Sequence, residues 1–168
     1  MSRPILPFDL PLERLRIVRW PDPVVDATGH DLRSTYVERF WLPVLGPSAT
    51  WLLRRLAHGL DAAPDGFELD LELTAAALGL GNRRGANGPF LRSLGRLDHF
   101  ELSRPAGDAA LAVRTRVAAL PAHHLRKLPP PIQAEHRRWS AQAAAGPDEV
   151  SRRRRARLLA LSLLELGE

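Results

Sequence analysis

The stretch ELTAAALGLGNRRGANGPFLRSLGRL, residues 72–97, contains two segments with helical patterning on either side of a glycine-rich loop. Gly79 is suited to ending the first helix, because glycine readily adopts the left-handed conformation found at helix C-termini. Asn87 or Gly88 can cap the second helix, with Pro89 in the first turn, where proline is tolerated. Four apolar residues give this second helix a buried stripe: Phe90, Leu91, Leu94 and Leu97. The stretch therefore predicts helix, loop and helix.

Further elements are predicted on both sides of this pair. Ser34 or Thr35 can cap a helix that ends before Pro43, and Gly46-Pro47 begins another helix. That helix has apolar residues at helical spacing: Ala49, Leu52, Leu53, Leu56 and Leu60. The alternating residues FELDL, 67–71, predict a strand, and FELSR, 100–104, with ALAVRTRV, 110–117, predict a hairpin. The expected order is helix, strand, helix, loop, helix, strand, strand.

The glycine-rich loop does not have the spacing of a phosphate-binding motif. The dinucleotide fingerprint requires G-x-G-x-x-G directly after a strand, but Gly79, Gly81 and Gly85 are spaced one residue too far and follow a helical segment. A P-loop requires Gly-Lys-Ser or Gly-Lys-Thr, and the single lysine, Lys127, is far away. These patterns disfavour a nucleotide-binding enzyme.

The order of elements over residues 34–117 resembles the winged helix-turn-helix superfamily of DNA-binding domains. Ala75 and Gly79 have the AAALG spacing of the helix-turn-helix motif, with a small residue where two helices touch. The resemblance implies that the helix from Pro89 to about His99 is the recognition helix and that residues 100–116 form the wing. The turn from Gly79 to Gly88 is longer than the compact turn of such motifs. Residues 36–56 also resemble a group of actinobacterial proteins, which implies no function.

The resemblance implies a set of residues for contact with double-stranded DNA. Arg92 and Arg96 are long donors one turn apart, as base recognition in the major groove requires, and Ser93 lies beside them. Glycines around Arg83 and Arg84 would allow the backbone to approach phosphates. The expected DNA-binding residues are Arg83, Arg84, Asn87, Arg92, Ser93, Arg96, Arg104, Arg114 and Arg116. The predicted function is sequence-specific DNA binding, as in a transcription regulator.

Two observations support alternatives to DNA binding. The formal net charge is +5, but the run 152–157 contains five arginines, so the remaining sequence is neutral overall. Because nearly every cation is an arginine, exposed arginines on a helix and a hairpin are also typical of an ordinary solvated surface. Winged-helix folds also serve as protein-interaction modules, and a module without direct DNA contact is the alternative function.

The sequence gives no indication of catalysis or of a cofactor. It contains no G-x-S-x-G motif, no H-E-x-x-H motif and no cysteine, so we expect no enzyme activity, no metal site and no cofactor. The four tryptophans are not interleaved with basic residues, and we expect them to pack in the core. The first ten residues lack the apolar segment of a signal peptide and no run is long enough to span a membrane, so we expect a cytoplasmic protein.

The predicted fold class is α+β, mainly α, in four parts. Residues 1–33 form an N-terminal arm in which RLRIVRW, 14–20, is a strand or an edge segment, and residues 34–120 form the winged-helix domain. Residues 121–147 form a helical extension, with two short helices, and a linker, and residues 148–168 form a C-terminal helix. Leucines lie all around that last helix, so it needs a covering surface, from a second copy of the chain, another protein, its own domain or a membrane surface.

We expect the C-terminal helix to form a homodimer through Leu158, Leu161 and Leu164. Replacing Leu161→Glu together with Leu164→Glu should abolish the dimer, because burying a leucine contributes about 1.5–3 kcal/mol and a buried charge is unfavourable. Light scattering measures the mass of both proteins. A monomeric intact chain, or a double variant that still dimerises, would show that this helix has another role.

Overall fold

The computed structural model describes residues 13–80 and 88–144. The chain divides into two compact units, Met1–His124 and Leu125–Glu168. The described elements are β1 (Arg14–Arg19), α1 (Pro23–Thr28), β2 (His30–Asp31), a π-helix (Val37–Trp41), α2 (Leu42–Leu45), α3 (Pro47–Ala62), β3 (Phe67–Asp70), α4 (Leu71–Ala77), α5 (Pro89–His99), β4 (Ser103–Pro105), β5 (Ala110–Val113), β6 (Arg116–Val117), α6 (Ala122–Leu125) and α7 (Pro130–Ala144). The predicted α+β class, with helix in the majority, is confirmed.

The first unit contains a four-stranded sheet in the order β3-β1-β5-β4. β1 pairs with β3 in the antiparallel direction and with β5 in the parallel direction, and β4 pairs with β5 as an antiparallel hairpin. The segment RLRIVR is therefore an internal strand with partners on both sides. The expected alternative of an edge segment is wrong.

One face of this sheet contributes to the core of the first unit. Because side chains alternate along a strand, one set of residues points to the same side. Its members are Leu15, Ile17, Leu69, Ser103, Leu111 and Val113, and each is at most 5% exposed. The stripe predicted for α3 is confirmed, since Ala49, Leu52, Leu53, Leu56 and Leu60 are also buried. Leu94 and Leu97 of α5 are fully buried as well.

Local hydrogen bonds explain where α4 begins. The Asp70 carboxylate accepts the backbone N–H of Leu73 at 2.8 Å, so the last residue of β3 also caps α4. The preceding turn depends on Gly66, whose φ is +100° and whose added Cβ would lie 2.5 Å from the carbonyl oxygen of Ile17. Glycine at this position allows β3 to approach β1.

Two predicted element boundaries differ from the structure. The helix expected to end before Pro43 continues to Leu45, so the proline lies within a continuous helical segment. The preceding residues are π-helical, and the N–H of Leu42 donates to the carbonyl of Val37. The strand expected over 110–117 ends at Val113, since β6 pairs with β2 in a second, two-stranded sheet.

The tryptophans do not all lie in the core. Trp41 is 4% exposed, and its indole N–H donates to the carbonyl of Ala118 at 3.0 Å. Trp51 is 59% exposed, because it falls outside the buried stripe of α3. Trp20 and Trp139 are partly exposed. Core packing is thus confirmed for Trp41 and wrong for Trp51.

The second unit is described over residues 125–144. It contains α7, which begins at Pro130 inside the triple proline, slightly earlier than the predicted helix in IQAEHRRWSAQ. The side-chain amide of Gln133 donates to the carbonyl of Leu128 at 2.7 Å, next to the start of the helix. The helices expected near 121–142 are therefore present. None of the described helices combines the length and apolar character that a membrane span requires.

We predict that Ile17→Ala lowers the free energy of unfolding by about 2–5 kcal/mol, because the side chain is fully buried and its truncation leaves a cavity. Urea denaturation followed by circular dichroism measures this change. Leu73→Ala is the matched control: Leu73 is 65% exposed on α4, and its truncation should change stability by no more than about 0.5 kcal/mol. Equal effects of both substitutions would contradict the placement of β1 inside the sheet.

Candidate nucleic-acid interface

α5 has a buried side and a basic exposed side. Its buried residues are Phe90, Ser93, Leu94 and Leu97. Arg92, Arg96 and His99 are exposed and are spaced by four and three residues, so they lie on one face of the helix. Because the opposite side packs in the core, the position of this face is fixed by the fold.

Ser93 corrects the sequence-based expectation. It was placed with the arginines on the free face, but it is 5% exposed, and its hydroxyl donates to the carbonyl of Pro89 at 3.0 Å. The reason is helical periodicity, since position 93 lies one turn from both Phe90 and Leu97. The expectation that Ser93 faces outward is wrong.

The two exposed arginines of α5 differ in their partners. The Arg96 guanidinium donates to the carbonyl of Val44 at 2.6 Å and lies 5.5 Å from the centre of the Phe100 ring. The Arg92 side chain forms no hydrogen bond or ion pair with any other residue in the ranges 13–80 and 88–144. Arg92 is consequently available to an external acceptor, whereas Arg96 must release or share its internal one.

Two arginines of the predicted wing have acceptors inside the protein. Arg114 donates to the Asp22 carboxylate at 2.5 Å and to the carbonyl of Glu101 at 2.8 Å, and its side chain is 15% exposed. Arg116 donates through two nitrogens to the carbonyl of Gly29, at 3.1 and 2.5 Å. Both side chains thus connect the N-terminal segment to the segment that follows β5.

Arg104 lies next to the same cluster and is exposed. Its guanidinium carbon is 4.3 Å from the centre of the Trp20 ring, and that of Arg114 is 4.0 Å from it. These contacts of Trp20 were not predicted from the sequence. The signal was the alternation of RLRIVRW, which places Arg14, Arg16 and Trp20 on one side of the strand.

The carboxylate of Asp22 is the anion of this cluster. The backbone N–H of Val25 and the Arg114 guanidinium hold the pKa of Asp22 below its ordinary value of 3.8. Asp22 also caps α1, since its Oδ1 accepts the N–H groups of Val24 and Val25. One side chain therefore fixes both the start of a helix and the position of Arg114.

The remaining predicted site residues lie outside the described ranges: Arg83, Arg84 and Asn87 of the glycine-rich loop, and Leu158, Leu161 and Leu164 of the C-terminal segment. Within residues 13–80 and 88–144, no group of three His, Asp or Glu side chains is arranged to hold a metal ion. The chain matches no protein-family model, no curated protein and no solved structure.

We predict that Asp22→Asn lowers the free energy of unfolding near neutral pH. The difference in this free energy between the variant and the wild type should shrink in acid. The pKa of Asp22 is lower in the folded protein than in the unfolded chain, so the carboxylate stabilises the fold above pH 3.8 and this contribution is lost as the pH falls through the folded-state pKa. Asparagine retains the capping function, which isolates the effect of the charge. Urea denaturation between about pH 7 and about pH 2 measures it. If the difference in free energy of unfolding stays constant over that range, the charge of Asp22 does not stabilise the fold in this way.

Proposed function

We propose that the protein binds double-stranded DNA in a sequence-specific manner and acts as a transcription regulator, with α5 as its recognition helix. The observation that carries the proposal is the exposed face of Arg92, Arg96 and His99 on a helix whose other side is buried. An α-helix fits the major groove, and arginine reads guanine through two parallel hydrogen bonds. Arg92, which has no described partner, is the main base-reading residue in this proposal.

The element order supports a winged-helix arrangement. α3, β3, α4, α5, β4 and β5 follow one another in the order that the resemblance implies, and β4 and β5 form an antiparallel hairpin. The tip of this hairpin includes Gly107 and Ala109, both with positive φ. The arrangement has one additional feature, because β1 separates β3 from the hairpin.

The internal partners of Arg114 and Arg116 change the proposed interface. Arg114 and Arg116 stabilise the protein, so we assign base reading to α5 and phosphate contacts to Arg83, Arg84 and Asn87 in the loop before it. A homodimer formed through the C-terminal helix would present two copies of α5 to a near-palindromic site. A cytoplasmic location follows from this proposal.

A second candidate function is a protein-interaction module of the same fold. The specific observation in its favour is the exposure of Trp51 and Leu73, at 59% and 65%. Exposed tryptophan is typical of the centres of protein interfaces. The affinity of a DNA complex falls steeply with salt because phosphate neutralisation releases counterions, and a pure interaction module shows no DNA binding to titrate.

We predict that Arg92→Ala lowers the affinity for the preferred duplex by about 1–3 kcal/mol and relaxes base preference at one position. A binding-site selection identifies the duplex, and fluorescence anisotropy measures the affinity. Arg55→Ala is the control, since Arg55 is exposed on α3 and should leave binding unchanged. Identical base preference in the wild-type and Arg92→Ala proteins would contradict the assignment of α5.

A further inference from the structure

The four-stranded sheet has a second face that differs chemically from the buried one. The strand registers place Arg16 beside Glu68 and Ala110, and Val18 beside Ala112, which in turn lies beside Arg104. Arg14, Trp20 and Arg114 follow on the same side by alternation. We call these residues the outer sheet face: Arg14, Arg16, Val18, Trp20, Glu68, Asp70, Arg104, Ala110, Ala112 and Arg114.

Two guanidinium groups of the outer sheet face lie close to the Trp20 ring. The Arg104 and Arg114 guanidinium carbons lie 4.3 and 4.0 Å from the centre of the Trp20 ring. Arg114 is fixed by the Asp22 carboxylate and the carbonyl of Glu101, whereas Arg104 is exposed. Of these two arginines, Arg114 is therefore anchored and Arg104 is accessible to a ligand.

Charge is unevenly distributed across this face. Its acidic residues, Glu68 and Asp70, lie on β3, at one edge of the sheet, and Glu68 is 3.7 Å from Arg16. Arg104 lies on β4, at the other edge, with only Ala110 and Ala112 on the same side of the adjacent β5 before Arg114. Ala112 is 5% exposed, whereas Arg104 is exposed, so a ligand at this edge would meet the Arg104 side chain first.

We propose that the outer sheet face binds single-stranded nucleic acid at its β4 edge, with a base stacked on the exposed side of the Arg104 guanidinium, which lies over the Trp20 ring. Single-stranded nucleic acid is recognised by stacking of unpaired bases on aromatic or guanidinium planes within a basic surface. A duplex does not suit this surface, because its bases are already stacked on one another. The four strands, about 4.8 Å apart, have room for two or three nucleotides.

This surface is distinct from the exposed face of α5. The side chain of Arg104 points away from the buried set of sheet residues, which includes its neighbour Ser103. The proposal therefore goes beyond duplex recognition by Arg92, and the two are tested by different variants.

The experiment measures binding of the full chain to a fluorescent oligothymidylate of about 15 nucleotides, by anisotropy at about physiological salt. We expect Arg104→Ala to weaken binding about tenfold or more, because one stacked base is lost. Arg104→Lys keeps the charge but not the plane, so it should resemble Arg104→Ala. Arg55→Ala, an exposed arginine of α3, should bind as the wild type does.

Several results would overturn the proposal. They are no binding by the wild-type chain, unchanged binding by Arg104→Ala, wild-type binding by Arg104→Lys, or displacement of the oligonucleotide by poly-glutamate at equal charge concentration, which would indicate a general anion surface. Circular dichroism confirms that each variant is folded. Arg92→Ala should weaken duplex binding and leave oligothymidylate binding unchanged, so failure of either proposal is recognised separately.

Discussion

The pairing of β1 with both β3 and β5 is the constraint on which the rest of the first unit depends. β3 and β5 have no direct pairing in the sheet, so β1 holds the hairpin and the α3–β3 segment together. The same pairing sets the register that sends Leu15 and Ile17 into the core and their neighbours Arg14 and Arg16 to the other side. A shift of one residue would exchange these two sets, so burial of the apolar set specifies the register.

The arginines of the chain acquire different roles from this arrangement. Arg114 and Arg116 link the segment after β5 to Asp22 and Gly29. Arg104 lies against an indole ring, and Arg92 has no partner among the described residues. Arginine content alone is therefore a poor guide to nucleic-acid binding, and the two proposed interfaces rely on the arginine side chains that remain exposed.

Much of the fold follows from local sequence patterns. The apolar spacing in α3 and α5 and the alternation in β3 and the hairpin each depend on residues close in sequence, and these elements were predicted. The internal position of β1 was not predicted from the sequence. Arg16 pairs with Ala110, and alternation along a strand does not identify a distant partner. The burial of Ser93 follows from periodicity, but the partners of Arg114 come from a remote segment. The exposure of Arg92 and Arg96 on one helix was thus predicted from the sequence, whereas the contacts that join separate parts of the chain were missed.

The internal position of an early strand has a consequence for biosynthesis. Ribosomal synthesis releases β1 long before β5, since residue 16 pairs with residue 110. Until β5 emerges, one edge of this strand has no partner, and an unpaired strand edge can join another chain. Charged residues alternate with the apolar ones in RLRIVR, and charges at a strand edge oppose such association. The arginines of β1 therefore disfavour pairing of this strand with another chain before β5 is synthesised.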